Sequence, residues 1–154
     1  MPNPHHPITP ARSREIDSAA VNDLRIVPPF VETLRAAGLD SLDALFLLAD
    51  AESLTKPGLQ TWRERLRFTM LHDGSPRTFY MKRFTHPPAA GRREVRQAAN
   101  GARSVAGIEW NWMHKLAALG IRCTRPVAFG EQIHRWREVR SAVVMEAVPG
   151  MSLE

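Results

Sequence analysis

Thr78-Phe79-Tyr80-Met81-Lys82-Arg83-Phe84 decides the fold. It alternates like a β-strand and puts Tyr80, Lys82 and Phe84 on one face. The preceding stretch alternates as well, with Trp62, Glu64, Leu66, Phe68 and Met70 set against Arg63, Arg65, Arg67 and Thr69. Between the two lies His72-Asp73-Gly74-Ser75-Pro76, whose Asp-Gly pair is a strong hairpin signal. The period then changes from two to 3.6. Ser104 is placed to cap a helix that runs to Leu119 and stops at Gly120. At roughly 100° per residue, Val105, Trp112, Met113 and Leu116 fall within roughly 60° of Glu109. Glu109 is therefore expected near the centre of the buried stripe, with Trp112 in the core and Trp110 pointing elsewhere. An unpaired carboxylate there costs roughly 3–5 kcal/mol. Lys82, flanked by two aromatic residues on its strand face, is the expected partner. Taken singly, a strand lysine can be an edge-blocking charge and a helix glutamate can turn out to water; pairing accounts for both.

Further out, residues 1–22 read as a disordered tail, with four prolines in the first ten positions. Its His5-His6 pair would bind metal only weakly. Residues 23–50 read as a helical extension. Phe30, Leu34 and Leu39 mark one helix, stopped by Gly38; Asp40 or Ser41 caps a second through Leu42, Leu45, Phe46 and Leu48. A strand near Ala51–Lys56 ends in a Pro57-Gly58 turn. Pro87-Pro88 and Gly91 form a linker, and Arg92–Ala99 gives one or two helical turns broken at Asn100-Gly101. After the long helix come two short strands, 126–130 and 141–146, separated by a polar, arginine-rich loop. The expected fold is α+β: a five-stranded antiparallel sheet with one long helix, preceded by short N-terminal helices.

The chain of 154 residues fits one domain of ordinary size, and 44% hydrophobic residues suffice for a core. A net charge of +5 favours anionic partners. The arginine excess is spread from Arg12 to Arg140 without a dense block, which reads as a solvated surface and disfavours nucleic acid. The single Cys123 excludes an internal disulfide and a thiolate zinc site. No apolar run approaches the roughly 18 residues of a membrane span, and the Pro- and His-rich start is not a secretory signal. The expected location is cytoplasmic. No Ser-His-Asp order, zinc spacing or paired-carboxylate motif stands out, and no metal ligand is assigned.

The strand Lys82, the helix Glu109, Leu119-Gly120-Ile121, Pro126-Val127-Ala128-Phe129-Gly130-Glu131 and Val144-Met145-Glu146 together resemble the lipopolysaccharide core kinase family. Its members have a protein-kinase-like fold and phosphorylate heptose or Kdo sugars of the inner core. The resemblance covers roughly residue 50 to the end. It implies that residues 51–154 form the amino-terminal lobe. Lys82 would contact the α- and β-phosphates of ATP, and Glu109 would hold Lys82; these two are the catalytic candidates. Met145 would sit beside adenine as gatekeeper, and the backbones of Glu146 and Val148 would bond the adenine edge. Gly58 is the one glycine in Thr55–Thr61, where the family pattern places a phosphate-covering loop.

The pattern is truncated at its hinge. His134-Arg135-Trp136 precedes the hinge strand and lacks the aspartate of a catalytic loop. The resemblance thus implies a lobe without the catalytic base or the magnesium ligands, inactive alone and binding nucleotide weakly. ATP and magnesium are the cofactors of the full-length family, and a core sugar is the acceptor. A separate carboxy-lobe chain or self-association would complete the lobe, driven by apolar surface around Met145, Val148 and Met151. The location would be cytoplasmic, peripheral at the inner membrane. The rival reading is a non-enzymatic basic module that binds nucleic acid or a partner protein through Arg63, Arg65 and Arg67.

Overall fold

The structure is a computed structural model that describes residues 24–58 and 60–147. The proposed tail over 1–22 and the candidates Val148 and Met151 lie outside these residues. In chain order come strand β1 (Leu24–Ile26), a 3-10 turn (Pro28–Phe30), helices α1 (Val31–Ala36) and α2 (Leu42–Leu47), and strands β2 (Glu52–Ser53), β3 (Arg63–His72) and β4 (Ser75–Thr85). Helices α3 (Ala89–Ala98) and α4 (Val105–Ala118) and strands β5 (Arg125–His134) and β6 (Arg137–Glu146) complete the series. The fold is α+β, with one antiparallel sheet in the order β1-β5-β6-β4-β3-β2.

The sheet has six strands instead of the expected five. The added strand, β1, occupies the start of the segment expected to be helical and pairs Leu24, Arg25 and Ile26 with Gly130, Phe129 and Ala128 of β5. Three residues are too short to show a period. Only the free edge of β5 makes them a strand.

β3 and β4 turn at Asp73-Gly74, where both residues have positive φ (50° and 76°). This is the twisted two-residue turn that Asp-Gly favours. β5 and β6 turn in the same way at Arg135-Trp136, with φ of 46° and 55°. The expected arginine-rich loop is thus a tight hairpin. Neither residue advertises that conformation, so turn chemistry could not reveal it.

Helices cover the sheet on both faces. One face carries Leu66, Phe68, Met70, Phe79, Met81, Ala142 and Val144, which pack against Phe30, Leu34, Leu42 and Leu45. Phe30 stacks on His72 at 4.6 Å and meets Phe79 edge-on at 6.0 Å. Thr33 on α1 and His72 at the end of β3 share a hydrogen bond of 2.7 Å. Ser41 accepts from the Ala44 amide at 3.0 Å and so starts α2. On the other face α4 lies over β5 and β6, where Trp110, Ala106 and Met113 pack on Phe84, Phe129, Val143 and Met145.

Phe30 is only 1% exposed and belongs to the same core as the centre of the sheet. Phe30→Ala is expected to cost about 3–5 kcal/mol. Chemical denaturation followed by fluorescence and circular dichroism is expected to show a single transition. A separate early transition for the N-terminal helices would show that they fold apart from the sheet.

Candidate functional site

Register places the candidate site. Arg63, Arg65 and Arg67 on β3 pair with Phe84, Lys82 and Tyr80 on β4. Phe84, Lys82 and Tyr80 in turn pair with Ser141, Val143 and Met145 on β6. All nine positions share the face that α4 covers. The helix lies over the β5–β6 side, so Lys82 emerges at its flank. There Lys82 Nζ donates to Glu109 Oε1 in an ion pair.

The pair joins strand to helix, but Glu109 is not at the centre of the stripe. The buried residues of α4 are Val105, Ala106, Gly107, Trp110 and Met113. Trp110 is in the core, stacked on Phe129 at 5.5 Å, and Trp112 is exposed beneath Lys115, the reverse of the expectation. The stripe is rotated because the small residues Ala106 and Gly107 let the first turn of α4 settle on the sheet. Glu109 stands on its shoulder with 35% of its side chain exposed, and Lys82 has 25% exposed. At that exposure the pair adds about 1 kcal/mol or less to stability. Its interest lies in where it holds the lysine.

Lys82 and Glu109 line a cleft with Thr55, Arg63, Arg65 and Glu94, about 130 Å³ in volume. That is below the roughly 300–1,000 Å³ of ordinary ligand pockets. Arg63 is engaged by Glu94 of α3 at 2.6 Å, and Arg67 by Glu52 of β2. Arg65, directly opposite Lys82, makes no side-chain ion pair among the described residues. The three-arginine face read as a nucleic-acid surface is therefore largely neutralised.

The other candidates are spread out. Met145 is buried on the same face as Lys82 and packs in the α4 core, so it supplies no exposed apolar surface. The Glu146 side chain is buried on the opposite face, held by Arg77 at 3.0 Å and Arg125 at 3.3 Å. Gly58 has φ of 88° in the loop between β2 and β3. It lines a neighbouring hollow with Arg83 and Thr85, not the Lys82 cleft. Lys82 and Arg65 are the residues of the cleft that would meet a nucleotide's phosphates, beside the carboxylates of Glu64, Glu94 and Glu109. Among the described residues no cluster of three or more His, Cys, Asp or Glu is placed to hold a metal ion. Among the described residues, too, no helix is long and apolar enough to cross a membrane.

The Ser104 cap of α4 is legible in the sequence; the contacts from β6 that hold the helix are not. Ser104 Oγ accepts from the Gly107 amide at 3.1 Å. Glu138 accepts from the Val105 amide at 2.9 Å, and Ser141 Oγ accepts from the Ala106 amide at 3.2 Å. Ser141 donates its hydroxyl proton to Glu138. The free amides of the helix's first turn are thus all satisfied, two of them by β6. A register shift in the β5–β6 ladder near Val139 turns Glu138 toward the helix. Strict alternation would have placed it with Arg140 on the other face. Burial pushes the Glu138 carboxyl above its usual range, and its hydrogen bonds to Ser141 and the Val105 amide oppose that shift. Comparison of the chain with protein-family models, curated proteins and solved structures finds no match.

A carboxyl whose pKa is raised in the fold binds its proton more tightly there than in the unfolded chain. Its contribution is full below the ordinary glutamate range and is lost as pH rises through the folded value. Glu138→Gln keeps an acceptor for Val105 and removes the titration. Denaturation midpoints measured from acid to neutral pH are expected to fall less with rising pH in the variant than in the wild type. Parallel curves would mean that Glu138 is not the titrating group.

Proposed function

We propose that this chain is the amino-terminal lobe of an ATP-dependent sugar kinase similar to the lipopolysaccharide core kinases. The observation that carries the reading is the Lys82–Glu109 pair. With β1 set aside, Lys82 sits on the third strand of a five-strand run, and Glu109 is on the long helix that comes after that third strand and before the last two. Protein kinases hold nucleotide phosphates with a lysine on the third strand, fixed by a glutamate on the adjoining helix. A lysine so held keeps its ammonium in place before the ligand arrives, which lowers the entropy lost on binding. Arg65 beside it adds a second charge for the phosphates. The resemblance gives Met145, buried at the end of the same face, the place beside adenine.

On this reading the lobe binds and orients phosphates but does not transfer them alone. Phosphoryl transfer needs a positioned base and metal-assisted charge neutralisation, and a second lobe would supply both. The acceptor would be a lipopolysaccharide core sugar hydroxyl. The ion pairs on Arg63 and Arg67 weigh against the rival nucleic-acid module.

Calorimetry is expected to show weak ATP binding to the chain. Lys82→Ala is expected to weaken it roughly ten- to a hundredfold, the loss of a charge-assisted hydrogen bond worth about 1.5–3 kcal/mol. Adding a homologous carboxy lobe is expected to produce γ-phosphate transfer to purified core oligosaccharide, again dependent on Lys82. ATP binding unchanged by Lys82→Ala would place the nucleotide elsewhere or dismiss it.

A further inference from the structure

At the opposite end of the sheet from the β3–β4 turn, the β5–β6 hairpin projects Trp136 with 95% of its surface exposed. It is the most exposed large hydrophobic residue among those described. Its backbone is set by a two-residue turn, both members of which have positive φ. Behind the tip lies a hollow lined by Arg135, Arg137, His134, His86 and Arg92. Among the described residues, none of the three arginines has a carboxylate partner. The only acid in the hollow is Glu138, whose oxygens already serve Val105 and Ser141. Thus one end of the molecule joins an unpaired cationic cluster to a single projecting indole.

We propose that this end docks on an anionic phospholipid surface, with Trp136 entering the headgroup region and Arg92, Arg135 and Arg137 meeting lipid phosphates. The charge is complementary, since each arginine near such a surface contributes about a fivefold gain in binding. The indole suits the interface, where its ring is apolar and its N–H stays wet. A lone protruding indole offers no row of aromatic platforms for successive bases, which favours a lipid surface over a single-stranded nucleic acid. The surface is separate from the Lys82 cleft and stands whether or not that cleft binds nucleotide.

The test is co-sedimentation of the full chain with phosphatidylcholine vesicles, with and without phosphatidylglycerol, together with tryptophan emission. Binding is expected only with the anionic lipid, to weaken with salt, and to bring a blue shift. Arg135→Ala and Arg92→Ala are each expected to weaken it roughly fivefold. Trp136→Gly is expected to abolish the blue shift while keeping the fold, because glycine accepts the left-handed turn conformation freely. Arg67→Ala, on β3 away from the hairpin tip and paired with Glu52, is expected to leave binding unchanged. Equal binding to neutral vesicles would overturn the proposal. So would binding insensitive to all three tip and hollow variants, or binding of inorganic phosphate or an oligonucleotide without binding of vesicles.

Discussion

The seat of α4 on β6 governs the rest of the α4 face. Its first-turn amides would be costly to bury unmet. Ser104 meets one from the helix's own cap, and Glu138 and Ser141 meet two from the sheet. These bonds fix where the helix begins and how it is rotated. Once Ala106 and Trp110 face Phe129 and Val143, Glu109 can only stand on the flank, above Lys82. The ion pair follows from this placement; at its exposure it could not position a fourteen-residue helix by itself.

That order of causes bears on the proposed function. A lysine paired at the edge of a packed helix is held without being sealed. It has one partner, an open side toward Arg65, and a floor of buried apolar residues. Such an ammonium can bind an anion without first losing a buried partner. A shift of α4 along β6 would move Glu109 relative to Lys82, so Glu138 and Ser141 bear on the ion pair through the helix.

Much of this could be read from the chain. The Asp73-Gly74 hairpin and the Ser104 and Ser41 caps rest on local chemistry that the structure reproduces, whereas the Lys82–Glu109 pair forms although Glu109 lies on the shoulder of the stripe and not at its centre. What escaped reading was set by tertiary contact. β1 is a strand because the edge of β5 is free. The Arg135-Trp136 turn uses residues with no preference for it. Trp110 and Trp112 lie two positions apart, and a modest rotation of the helix decides which is buried. Glu138 reaches α4 through a register irregularity that no periodicity predicts. Gly58, legible as a motif position, lies in a neighbouring hollow and not in the Lys82 cleft because of the course of its loop.

The central claim is that Lys82 is held as a phosphate ligand and not merely as a structural cation. Labelling with an acyl-phosphate derivative of ATP tests it most directly, because the probe acylates the lysine lying beside the nucleotide's phosphates. Lys56 and Lys115 serve as internal references. The account predicts that mass spectrometry finds Lys82 labelled ahead of both, with the label suppressed by excess ATP and redistributed when Glu109→Gln releases the lysine. Equal labelling of the three lysines, or labelling of Lys82 indifferent to ATP, would contradict it.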